Sequence, residues 1–376
     1  MNEKEIAEIR RRLRPDKSNI THVRGCYVNE NKEIISQFNQ SLALTEPEET
    51  EQILSCLKRG LSGTLGKNLI DITFSTQQVV DSEEHRLLMA LKDTSLRDED
   101  AVQEFYRRVI ASLSLDGHYM ILLAHDIYDV PYRSRDGEKQ EDASSEIFSY
   151  VLCSICPVKM TKPALSYFAK DNMLHSRTVD WIISPPQLGF LFPAFDDRAA
   201  NIYNALYYSR DASENHEEFT DTIFHCEIPM PAEEQKETFE AVLESTLKEE
   251  CSYDVVQAVH ERLNSMIREH KENKESDPLV LSKNEIKNVL EDCGVSQEKT
   301  ETFEQKYAEV FGADTDLSPR NLVEKKLQLK TPDVTIQVNP ECSDRIETRI
   351  LNGIKYILIR ADSGVTVNGV DIHIEA

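Results

Sequence analysis

The chain has no long apolar run. Its longest, Tyr119–Ala124, is the length of a strand and far short of the roughly 20 residues a membrane helix needs. No membrane association is expected. The opening Met-Asn-Glu-Lys-Glu lacks the apolar core of a secretory signal, so the expected location is the cytoplasm. Positive charge is also scarce. Against 67 Asp and Glu there are 43 Lys and Arg, a net charge of −24. Broad coating of a phosphate backbone depends on clustered Lys and Arg, and this balance argues against it. The eight cysteines lack the second CxxC or the spaced His pair of a tetrahedral zinc site. There are no internal repeats and no low-complexity tract.

At 376 residues the chain suggests two domains or one large domain with appendages. Glu3–Leu13 reads as a short helix stopped by Pro15. Ile20–Val28 and Glu33–Phe38 form a hairpin pattern, Pro47–Arg59 a helix ended by glycines, and Asn68–Phe74 a strand. Ser82–Leu91 and Asp98–Ser112 carry helical spacing. Tyr119–Tyr128 and Phe148–Val158 are strongly apolar strands, with the polar Ser134–Ser145 expected as an exposed connection. Val179–Ser184 and Gly189–Phe195 are strands split by Pro185-Pro186, and the aromatic Asn201–Ser209 is read as a further strand. Ala232–His270 is helical and acidic, Ser282 with Glu285 opens a capped helix, and Ser296–Phe311 is another. Period-two alternation then returns, with Asn352-Gly353 as a hairpin turn. The fold class expected is α+β: a mixed, mostly antiparallel sheet with flanking helices, an acidic helical middle and a C-terminal β-hairpin module. The corresponding domains are 1–228, 229–327 and 328–376.

Motifs that carry chemistry are few. Cys153 and Cys156 make one CxxC, but it lies inside an apolar strand, where positions three apart face opposite sides of a sheet. These thiols are expected to pack as small hydrophobes. Gly63-Thr64-Leu65-Gly66-Lys67-Asn68 resembles a phosphate loop, yet its first glycine position is Leu61 and the residue after the lysine is Asn68. It reads as a helix stop. His125 and Asp126, near the end of a strand, and Asp196-Asp197-Arg198, after another, are the candidate catalytic groups. The plainer account has Asp197 cap a helix or turn beginning at Ala199 while Arg198 pairs with a neighbour. No HExxH or Gly-x-Ser-x-Gly pattern is present. Two basic clusters are candidate contact patches: Arg10, Arg11, Arg12 and Arg14, and Lys325, Lys326 and Lys330.

The segments "EIAEIRRRLRPDKSNITHVRGCYVN", "LSGTLGKNLIDITFSTQQV", "LCSICPVKMTKPALSYF", "LGFLFPAFDDRAANIYNALYY" and "KYILIRADSGVTVNGV" together resemble, over the full length, a bacterial family found mainly in Firmicutes and known as a domain of unknown function. A more distant likeness is to the bacterial nucleoid-associated proteins. It rests on the order of elements and on Phe303, Tyr307, Phe311 and Leu317 followed by short strands and Asn368-Gly369. That likeness implies work with DNA, or with proteins that act on DNA. The expectation is a non-catalytic binding or scaffold protein, without a cofactor or resident metal. Its partners would be proteins, or DNA through local basic patches, and exposed strand edges would favour a homo-oligomer. The alternative is a metal-assisted hydrolase or nuclease that uses His125, Asp126, Asp196 and Asp197.

Overall fold

The computed structural model describes residues 1–133, 139–177, 179–214, 216–226, 228–273, 278–313, 315–324, 326–339, 342, 345–361, 364–367 and 370–372. The chain divides into two compact units. The first takes in Met1–Ala232, the second Glu233–Glu275 and Leu279–Ala376.

In the first unit the elements run α1 (Glu3–Arg12), β1 (His22–Val28), β2 (Ile34–Ser41), α2 (Pro47–Arg59), β3 (Leu69–Thr73), α3 (Thr76–Asp81), α4 (Glu83–Asp93) and α5 (Glu99–Ser112). They continue with β4 (His118–Arg133), β5 (Lys139–Met160), β6 (Ala164–Phe168), β7 (Met173–Arg177), β8 (Trp181–Ile183) and β9 (Leu188–Phe192). Last come β10 (Ala194–Asp196), β11 (Ala199–Asn201), β12 (Asn204–Ser209) and α6 (Glu217–Phe224). Local chemistry sets the helix starts. Asn2 and Glu5 form a capping box on α1, Pro47 takes the first turn of α2, and the Asp98 carboxylate accepts the Ala101 N–H of α5.

One sheet in the order β2-β1-β4-β5-β9-β12-β3, with β8 also on β5, organises the unit, and its pairs are antiparallel. The expected α+β class with a mostly antiparallel sheet is what forms. Both faces are covered, so the alternation along β4 and β5 separates two cores. Tyr119, Ile121, Leu123, Val151, Cys153 and Ile155 pack with α4, α5 and α6, where Val102, Phe105 and Phe224 are fully buried. Leu122, Ala124, Tyr128, Tyr150, Leu152 and Cys156 pack with α1 and α2 through Ile6, Ile9, Leu54 and Leu57.

Four local readings need correction. The expected connection Ser134–Ser145 is partly strand: β5 starts at Lys139, and Pro131 pairs with Ser144. Backbone pairing continues beyond the apolar core because the ladder is satisfied whatever the side chains; residues 134–138 lie outside those described. The run Gly189–Phe195 is two strands, since Pro193 cannot donate to a ladder. Asp197 caps no helix. With Arg198 it forms the two-residue turn between β10 and β11, both with positive φ (46° and 61°), the geometry that suits a tight hairpin. The long helical stretch after Ala232 is broken near Cys251, as described below. The hairpin β6–β7 and the helices α3 and α6 are additions to the expected elements, and α6 replaces an acidic loop expected around His216 and His225.

Gly189 sits in β9 beside Ser154, and a Cβ there would lie 2.5 Å from the Cys153 carbonyl oxygen. Backbone cannot swing aside as a side chain can. Gly189→Ala is therefore expected to lower stability by about 1–3 kcal/mol, read as a reduced urea midpoint with an unchanged slope.

The second unit holds α7 (Ala232–Leu247), α8 (Tyr253–Glu272), α9 (Lys283–Asp292), α10 (Gln297–Val310) and α11 (Pro319–Leu322). The Ser252 hydroxyl accepts the Val255 N–H and starts α8 anew after the break at Cys251. Phe239, Leu263, Leu290, Phe303 and Tyr307 form its core. The remaining strands pair as hairpins: β13 (Leu327–Lys330) with β14 (Thr335–Val338), β15 (Ile346–Leu351) with β16 (Ile354–Ile359), and β17 (Val365–Val367) with β18 (Val370–Ile372). Among the described residues, no helix is long and apolar enough to cross a membrane.

Candidate functional site

The register of β1 on β4 sets Arg24 opposite Leu123 and Val23 opposite Ala124, and β2 places Asn39 opposite Arg24. The face that carries Leu123 thus ends in His22, Arg24, Asn39 and His125, where apolar packing gives way to polar groups. The α4–α5 connection closes over this end. Ser95 and Leu96 take left-handed backbone (φ 52° and 61°), a conformation a bulky residue adopts only under constraint. Leu96 is buried at 5% exposure, which anchors the turn and brings Arg97 to the rim. The result is a cleft of about 580 Å³ lined by His22, Arg24, Arg97 and His125 with Asn19, Asn39 and Ser95. No carboxylate lines it among the described residues, in a chain whose net charge is −24.

Two of the lining side chains are held by neighbours. Arg24 donates to Glu99, whose carboxylate also accepts from Gln103 at 2.9 Å. The Arg24 contact, with Gln103 second, holds the Glu99 carboxyl below its usual range. His125 Nε2 lies 2.8 Å from the Ser149 hydroxyl. Burial depresses the His125 imidazole below its ordinary value; Asp126 opposes this, and Lys92 and Arg97 reinforce it. A neutral imidazole on a serine hydroxyl is a nucleophile–base pairing in outline. The orienting carboxylate is missing: among the described residues no Asp or Glu bonds the other ring nitrogen.

Asp126 faces the opposite core. Its Oδ1 accepts the Asn19 and Ile127 N–H groups at 2.9 Å, and its Oδ2 accepts the Tyr150 hydroxyl at 2.7 Å. Arg12 lies 3.6 Å away. Asp196 is elsewhere again, 3.9 Å from the Met1 amino group, which donates to Asp71 at 3.1 Å. Asp197 is in the β10–β11 turn. His125 and Asp126 thus face opposite sides of β4, while Asp196 and Asp197 lie together at the β10–β11 hairpin; among the described residues no three His, Cys, Asp or Glu side chains are placed to hold a metal.

The N-terminal basic cluster is divided by the fold. Arg12 turns inward, its guanidinium 4.2 Å over the Tyr128 ring and bonded to the Ile127 carbonyl. Arg11 borders a smaller pocket of about 300 Å³ with Lys17, Glu8 and Arg198, the last two joined by an ion pair at 2.7 Å. Arg10 is half-buried and Arg14 exposed. Lys326 and Lys330 are exposed in the second unit, and Lys325 lies outside the described residues.

Sequence reasoning missed His22, Arg97 and Ser149. His22 and Arg24 are two apart on a strand, a period-two spacing from which one shared face follows; Arg97 comes in through a turn whose backbone no motif announces.

No curated protein matches the chain. A family model described as "Domain of unknown function (DUF4317)" matches residues 1–370, and on that coverage the chain belongs to the DUF4317 family.

Proposed function

We propose that the chain is a non-catalytic binding protein that takes a phosphate-bearing ligand in the cleft between β1, β4 and the α4–α5 turn. The observation that carries this reading is the lining: two arginines and two histidines with no described carboxylate, on a strongly acidic protein. A cleft focuses the local field, so a small cationic site can attract an anion against an unfavourable net charge. The likeness to nucleoid-associated proteins makes a nucleic-acid backbone the ligand class to try first, with the cleft as the local basic surface that such binding requires.

The test is titration of the full chain with a labelled DNA oligonucleotide by fluorescence anisotropy, alongside inorganic pyrophosphate by calorimetry. Pyrophosphate binding with DNA binding that weakens steeply with salt supports the nucleic-acid form. Pyrophosphate binding alone restricts the ligand to small phosphates. Absence of both overturns the proposal.

The pH dependence has a definite sign. His125 is held neutral by burial, with Lys92 and Arg97 adding to the effect against Asp126, and with Ser149 bonded to the ring. A bound anion favours the imidazolium and raises its pKa, so binding takes up a proton. Affinity is expected to increase between pH 8 and pH 6, by at most about tenfold per unit for one proton. His125→Gln should flatten that profile, which calorimetry in two buffers of different ionisation heat also checks.

A further inference from the structure

We infer that Cys56 and Cys156 form a peroxide-reactive thiol pair, with Cys56 as the attacking sulfur and Cys156 as the resolving one. The two Sγ atoms lie 3.5 Å apart although their residues are 100 positions apart in the chain. Cys56 is in the last turns of α2, and Cys156 is on the face of β5 that α2 covers. Cys153 is on the other face, in the other core, so the CxxC motif does not supply the pair. Both cysteines are free thiols.

The surroundings give the two sulfurs different roles. Cys56 lines a surface pocket of about 520 Å³ with Ser55, Arg59 and Pro185, wide enough to admit a hydroperoxide. Cys156 is fully buried at 0% exposure. The Cys156 contact, with the Arg59 charge in support, lowers the pKa of Cys56 against the effect of burial. The same contact and burial raise that of Cys156. The reachable sulfur is therefore the one with more thiolate character, and the thiolate is the nucleophile.

The chemistry closes without a cofactor. The Cys56 thiolate attacks the peroxide: an S–O bond forms, the O–O bond breaks, and the leaving alkoxide or hydroxide takes up the proton the thiol gave up. Sulfur is oxidised to the sulfenic acid and the peroxide is reduced to an alcohol or water. The Cys156 thiol then gives up its proton and its sulfur attacks Cys56 Sγ. The S–S bond forms, the S–O bond breaks, and hydroxide leaves with that proton as water. Closing from 3.5 Å to the roughly 2.05 Å of a disulfide needs a shift of about 1.5 Å. The product would tie α2 to the middle of the sheet.

The test is treatment of the full chain with hydrogen peroxide, followed by peptide mapping by mass spectrometry without reduction. The expected result is a Cys56–Cys156 cross-link, removed by dithiothreitol. In Cys156→Ser, dimedone should label position 56 as the trapped sulfenic acid. Cys56→Ser should slow thiol loss at Cys156 by at least about tenfold, since the buried thiol lacks reach and thiolate. Cross-linking between other cysteines, irreversible oxidation of Cys56 without a cross-link, or no peroxide reaction in the folded wild type would each overturn the inference. The wild-type map stands even if a variant fails to fold.

Discussion

Replacing Arg24 and Arg97 together by glutamine is expected to weaken pyrophosphate binding by at least ~100-fold, from two lost charge-assisted contacts of about 1.5–3 kcal/mol each. Glutamine keeps part of each aliphatic stem, so packing changes little. Stability should also hold. Arg97 is exposed, and the partner of Arg24, Glu99, has a side chain 59% exposed, where an ion pair contributes about 0–1 kcal/mol. Lys326→Gln with Lys330→Gln, in the second unit, should leave binding unchanged. That pair of outcomes separates the cleft from the C-terminal basic cluster. Wild-type affinity in the arginine double variant, measured by calorimetry at fixed salt, would refute the cleft.

Asp126→Ala is expected to destabilise the first unit by about 3–5 kcal/mol, the range for breaking a buried charged network from one side. The carboxylate is fully buried with Arg12 beside it, and it holds together three pieces of structure. It accepts the Asn19 N–H from the loop before β1, the Tyr150 hydroxyl from β5 and the Ile127 N–H of its own strand. Without it the Tyr150 hydroxyl loses its acceptor in a dry interior and pays its desolvation unrepaid, while Arg12 keeps the Ile127 carbonyl but loses the neighbouring negative charge. Burial, the leading cause that holds Tyr150 far above its ordinary pKa, persists in the variant, so the hydroxyl cannot escape the loss by ionising. Asp126→Asn keeps one acceptor oxygen and should cost less. Urea unfolding followed by a probe of the first unit reads the difference; a wild-type midpoint for Asp126→Ala would show that this carboxylate does not support the fold.

The sheet was legible because its strands have one periodic side per core. Tyr119–Tyr128 and Phe148–Val158 alternate between two buried faces, and the same alternation separated Cys153 from Cys156 in advance. The β6–β7 hairpin carried no such signal, since Leu165, Tyr167, Phe168, Met173 and Leu174 are all exposed and nothing imposes a buried period on them. The catalytic candidates are grouped by nearness in sequence. On a strand this misleads, because His125 and Asp126 are neighbours that point to opposite faces. The cleft and the Cys56–Cys156 contact arise from residues brought together by β1, β2, β4 and helix packing, and no local spacing encodes such meetings.

The double-sided sheet also restricts how the length of this protein can vary. Along β4, a single inserted or deleted residue would exchange the two faces beyond that point. It would carry His125 toward α1 and α2 and turn the Asp126 carboxylate toward the cation-lined cleft. Both the network around Tyr150 and the polarity of the cleft would be lost in one step. Away from the register shifts near Pro131, where a bulge can absorb one residue, changes of two residues keep the faces in phase, provided β5 follows. The central strands thus work as a fixed reading frame, and tolerated length changes among related chains should fall in the connections outside β4 and β5.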